Sequence, residues 1–170
     1  ESISTTTIQG RNVVVSALTP DIIRVENFAP GETPSATLPP MAQASPDCSV
    51  TTVGDMQLFT TSTGVTVRVN TVTGAVDITA GHDRSISDNG IREISDGQQS
   101  IRLSTMGSGS FYGAGERGYS FNLAGDTLVM YNKQNYGYTA GDPRIKQMNI
   151  TMPLFLSSNG YAVVFDDYAA

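Results

Sequence analysis

The chain has 170 residues, enough for one ordinary domain with its own core or at most two small ones. Only 15% of residues are charged, 17 are Gly and 8 are Pro, and the net charge is −6, a balance that speaks against a helix-rich surface and against a nucleic-acid partner. A single cysteine, Cys48, and a single histidine, His82, exclude an internal disulfide, a thiolate cluster and a His-rich metal site, and no cofactor is implied.

No apolar run approaches the ~18 residues of a membrane span. No export signal is visible either, but the chain opens at Glu1 without a Met, which leaves a processed N-terminus and a periplasmic or extracellular location as the expectation.

Period-2 alternation dominates and no window has a helical period. Residues 3–8 and 12–18 are β-branched runs separated by Gly10-Arg11, a hairpin or strand bend, and Thr19-Pro20-Asp21 turns the chain into a strand from Ile22 to Phe28. Ala29 to Ser49 is rich in Pro, Ala and Ser and reads as a long irregular surface loop that includes Cys48. A short strand covers 57–61. Val65, Val67 and Val69 then alternate with Thr66, Arg68 and Asn70, the pattern of a strand with one buried face, and Thr73-Gly74 turns it into a strand over 75–80.

Gly81 to Gly97 is polar, with Asp88-Asn89-Gly90 and Asp96-Gly97 as turns, and Gln98 to Thr105 alternates once more through Ile101 and Leu103. Next comes Phe111-Tyr112-Gly113-Ala114-Gly115-Glu116-Arg117-Gly118, where closely spaced glycines permit backbone angles and approaches closed to other residues. Tyr131 to Tyr138 follows, with amides and aromatics.

Residues 150–157 read as a strand with Ile150, Met152, Leu154 and Leu156 on one face and Thr151, Phe155 and Ser157 on the other, Pro153 marking an edge or bulge. Asn159-Gly160 predicts a two-residue type I′ hairpin turn, with the return strand over 161–165. Roughly ten short strands without helices mean an all-β antiparallel sandwich or barrel. The glycine-rich segment beside acids, amides and tyrosines suits a sugar-contacting rim or, equally, plain tight turns.

Three of these stretches resemble glycoside hydrolase family 31. Phe111-Tyr112-Gly113-Ala114-Gly115-Glu116 is similar to the Tyr-Gly-x-Gly-Glu signature of the family's N-terminal domain. Tyr131-Asn132-Lys133-Gln134 stands for its aromatic-Asn-x-Asp segment. Pro153 to Ser157 and Gly160 to Asp167 stand for its Pro-Phe-x-hydrophobic-Ser…Gly-Tyr-Gly-Val-x-x-Asp segment.

The resemblance implies a galactose-mutarotase-like β-sandwich (supersandwich) over 1–170, with 29–49 an irregular loop and the chain stopping before the family's last strands. It implies as partners a carbohydrate substrate and a catalytic barrel C-terminal in the same polypeptide. It also implies an accessory role at the substrate entrance of a retaining α-glycosidase of the α-glucosidase or α-xylosidase kind. By the same resemblance Gln134, with Asn135, Tyr136 and Tyr138, would contact the non-reducing sugar, and no residue here would be catalytic. Gln134 departs from the family's usual acid, and Ala162 from the second Gly of Gly-Tyr-Gly.

The residues themselves admit plainer roles. Glu116 suits accepting hydrogen bonds from backbone or from Arg117, fixing the loop, and Tyr131 suits the core. Asp142-Pro143 suits a turn start. Asp166 and Asp167 suit a strand end, and Asn149-Ile150-Thr151 a chance glycosylation sequon in a strand. A free-standing carbohydrate-binding or adhesion sandwich is the alternative. A mutarotase in its own right would need an acid–base pair, and the one histidine, His82, lies in a polar turn.

Overall fold

A computed structural model describes residues 2–8, 10–31, 49–82, 84–88, 92–94, 98–100, 102–105, 107–118, 120–132, 134, 137, 139, 141–146 and 149–166. Among them are fourteen β-strands and one 3-10 turn, with every strand pair antiparallel. The chain divides into two compact units, one before Gly107 and one from Gly107 onward. Cys48, Asn89-Gly90, Asp96-Gly97, Ile101 and Asp167 lie outside the described residues.

The first unit begins with β1 (Ser2–Ile8), β2 (Arg11–Thr19) and β3 (Ile22–Phe28), paired in chain order. Its second sheet is a meander in which β4 (Ser49–Val53), β5 (Met56–Thr60), β6 (Val65–Asn70), β7 (Val76–Ala80), β8 (Arg84–Asp88) and β11 (Leu103–Thr105) each pair with the next. β9 (Arg92–Ile94) and β10 (Gln98–Ser100) form a two-stranded ribbon of their own.

Successive strand residues face opposite sides, so one alternating set from each sheet can be buried against the other. Val13 and Val15 of β2 do this with Phe59, Val65, Val67, Val69 and Val76, forming one dry cluster. The alternation at Val65 to Asn70 is therefore the core stripe that the sequence indicated. Asn70 closes its hairpin: its Oδ1 accepts the Val72 and Thr73 N–H groups, both at 2.9 Å.

Three expectations change. Ser49 belongs to a strand, and the polar stretch 81–97 supplies β8 and β9, whose Arg and Ser content hides them from a hydrophobic pattern. The run 98–105 is two strands with different partners, β10 on β9 and β11 on β8.

The second unit is built on β12 (Phe111–Gly113), β13 (Leu154–Ser157) and β14 (Tyr161–Val164), in that order. Ser157 pairs with Tyr161, so the β13–β14 loop has three residues. Of these only Gly160 has positive φ, +84°. A type I′ turn needs two such residues; the observed loop follows the three-residue pattern that ends in a left-handed glycine.

The strand expected from 150 begins only at Leu154. Of its residues, Thr151 and Ser157 are buried, while Ile150, Met152 and Leu156 are about half exposed. Both buried hydroxyls are used, Ser157 Oγ accepting the Asn159 N–H within the turn and Thr151 Oγ1 donating to the sequence-distant Tyr131 carbonyl.

Candidate functional site

The site grows out of the end of β12. Gly113, Ala114 and Gly115 have φ of +108°, +64° and +83°. Ala114 carries a Cβ in this region, which costs about 1–2 kcal/mol, and its side chain is wholly buried. The turn brings the backbone against the segment leading into β13. The Ala114 N–H donates to Leu154 O at 2.9 Å, Glu116 N–H to Ile150 O at 2.8 Å, and Met152 N–H to Ala114 O at 3.4 Å. The approach is so close that a Cβ on residue 115 would lie 2.3 Å from Ile150 O, and one on residue 113 would lie 2.5 Å from Leu154 O. The two glycines of the signature are thus demanded by backbone contact as well as by angle.

Arg117 lies just beyond. Its Nε donates to Ala114 O at 3.2 Å, its Nη1 to Lys146 O, and its Nη2 to Val129 O at 3.3 Å while touching Met130 Sδ at 3.5 Å. The neighbouring Gly118 N–H donates to Ile145 O at 2.9 Å. Met130 itself helps line an apolar cleft of about 300 Å³ with Phe111, Leu123, Leu128 and Phe155, and Asp126 is also in its wall.

Between Val129 and Lys146 runs the loop that holds the sequence candidates. Near its start, Asn132 Oδ1 accepts the part-buried Thr151 N–H at 2.7 Å. Near its end, Asp142 opens the 3-10 turn Pro143–Lys146, its Oδ1 accepting the Arg144 N–H at 2.9 Å and its carbonyl the Ile145 N–H at 3.1 Å. Proline in the first position of that turn gives up no hydrogen bond, and the expected turn start at Asp142-Pro143 is there. The Arg144 guanidinium also grips the Asp142 carboxylate, and these hydrogen bonds hold its carboxyl below the usual carboxylate range. Lys146 Nζ stands 3.6 Å from Asp126 Oδ1.

Gln134 is exposed on this loop, and its amide makes no hydrogen bond among the described residues. Asn135, Tyr136 and Tyr138 lie outside the described residues.

Two expectations for side chains fail. Tyr131 is 61% exposed and is not core. The Glu116 carboxylate is exposed and bonds neither Arg117 nor any other described residue; its backbone N–H carries the role expected of the side chain. Asn149 lies at a bend, not in a strand. Arg117 and Asn132 were missed as organisers, although Asn132 stands inside the aromatic-Asn segment and could have been read from it.

A sequence profile described as the glycosyl hydrolase 31 N-terminal galactose mutarotase-like domain matches residues 12–170. The chain belongs to that family, and its fold is the all-β, galactose-mutarotase-like sandwich that its motifs implied. It is the N-terminal domain type of family 31 glycosidases. No curated protein sequence matches it.

Among solved structures, it is similar to a family 31 dextranase of Flavobacterium johnsoniae complexed with glucose, at 17% identity and a TM-score of 0.69, covering 94% of this chain and 20% of that one. It is also similar to a family 31 α-xylosidase of Xanthomonas citri, at 21% identity and a TM-score of 0.66, covering 96% of this chain and 18% of that one. The chain thus spans about a fifth of the length of either relative.

Proposed function

We propose that the chain is the accessory N-terminal domain of a retaining α-glycosidase. Both units belong in this reading to one domain, which shapes the substrate entrance of a catalytic barrel on the same polypeptide. The observation that carries it is the family profile matching nearly the whole chain. The dextranase and the α-xylosidase support it as glycosidases of the same fold. So does the exposed Gln134, unbonded among the described residues, on a loop tied at both ends. Catalytic carboxylates, about 5 Å apart for retention, would come from the barrel, and Glu116 serves the turn through its backbone.

Gln134 stands where the family usually places an acid. A carboxylate only accepts hydrogen bonds, each worth about 1.5–3 kcal/mol by virtue of its charge. An amide both donates and accepts, at nearer ~1 kcal/mol a bond. The non-reducing sugar would be held less strongly, with a different preference among its hydroxyls. In the full-length polypeptide, Gln134→Ala should lower kcat/KM by about fivefold, the equivalent of one neutral hydrogen bond. Gln134→Asp should change the preference among gluco-, galacto- and xylo-configured aryl α-glycosides. If both variants match wild type on every substrate, Gln134 is not a subsite residue.

A further inference from the structure

We infer that Arg117 is a positioning residue: one guanidinium closes the base of the 129–146 loop and so fixes where Gln134 is presented. The inference rests on the subsite reading of that loop for its functional half, and on geometry alone for the rest. Three donors of a single planar group reach three separate strips of backbone. Nε holds Ala114 O in the strained turn, Nη2 holds Val129 O at the outgoing stem, and Nη1 holds Lys146 O at the returning stem.

All three oxygens are main-chain carbonyls, and among the described residues no carboxylate pairs with Arg117. It therefore tethers backbone to backbone, and the rigid fork spreads its donors at fixed angles that a lysine ammonium cannot reproduce. The positive φ at Ala114 is part of the same device. It turns one carbonyl so that it accepts both the Met152 N–H and Arg117 Nε, which links the loop's base to the segment entering β13. Val129 and Lys146 would otherwise be ends of a loop closed at an entropic cost. Gly118 N–H to Ile145 O and the Lys146–Asp126 pair reinforce one stem, and Arg117 touches both.

The test uses the full-length polypeptide, with Arg117→Lys, Arg117→Met and Arg117→Ala. Hydrogen exchange is read at residues 141–146 and at Val65–Asn70, and turnover is followed with p-nitrophenyl α-glucoside and α-xyloside. All three variants should exchange about tenfold faster at 141–146 with 65–70 unchanged, since local opening is limited by the bonds removed. Methylguanidinium at millimolar concentration should restore protection to Arg117→Ala, which a general loss of folding would not allow. KM should rise more than kcat falls, and Gln134→Ala should add little on an Arg117→Lys background, because the two act on one contact.

Wild-type exchange at 141–146 in Arg117→Lys and Arg117→Met overturns the inference, whatever the activity. Faster exchange with a silent Gln134→Ala would instead sink the subsite reading and leave the hold of Arg117 on the loop supported.

Discussion

Gly115 and Gly125 have the same φ, +83°, but opposite surroundings. A Cβ on Gly125 meets nothing within 4 Å, whereas one on Gly115 lies 2.3 Å from Ile150 O and 2.9 Å from both Met152 N and Thr151 Cα. Gly125→Ala should therefore cost only the left-handed penalty, about 1–2 kcal/mol, less ~0.4–1 kcal/mol recovered from a stiffer unfolded chain. Gly115→Ala carries the same backbone terms and adds a contact roughly an ångström inside ordinary van der Waals distance. Backbone cannot rotate aside as a side chain can, so the strips must part. That breaks Glu116 N–H to Ile150 O and Met152 N–H to Ala114 O, at about 1 kcal/mol each and more if a buried group is left unpaired. The expected total for Gly115→Ala is about 3–4 kcal/mol, some 2–3 kcal/mol beyond its matched control. Hydrogen exchange at Leu154–Ser157, with Val65–Asn70 as internal reference, measures the difference. Equal costs for the two substitutions would mean that residues 115 and 150 do not make this contact, and would leave only the backbone angle as the structural reason for glycine at 115.

Asn132→Ala deprives the part-buried Thr151 N–H of its acceptor and should cost about 1 kcal/mol, read as faster exchange at 149–152, while Asn132→Asp keeps an acceptor and should lie near wild type. The Asp142 carboxyl is depressed by Arg144, so the stability it lends the 3-10 turn is present above its unfolded value of 3.8 and is lost as pH falls through the lower folded value. Opening of 143–146, followed by NMR, should rise on acidification through that window, and Asp142→Asn should open the turn at neutral pH and flatten the dependence. Val67 is fully buried in the first unit; Val67→Ala should destabilise that unit by about 2 kcal/mol, seen as a lower urea midpoint for protection of β5 to β7.

The sequence by itself determined the all-β class, the core stripe at Val65, Val67 and Val69, the hairpin at Thr73-Gly74 and the family. These follow from local rules: alternation sets a face, glycine and asparagine permit turns, and spaced motifs survive as a pattern. It also marked Asp142-Pro143 as a turn start, because that chemistry lies within a few residues. Only the tertiary structure decided which face of 150–157 is buried. There the apolar row points outward and Thr151 and Ser157 point inward, because hydrogen bonds from distant or turn residues satisfy their polar groups. Only the tertiary structure, likewise, made Arg117 the tie between Val129 and Lys146, carbonyls 12 and 29 residues away in sequence. A backbone carbonyl carries no residue-specific mark, so the partners of a guanidinium that binds carbonyls cannot be read from residue types. They exist only once the chain has brought those strips together.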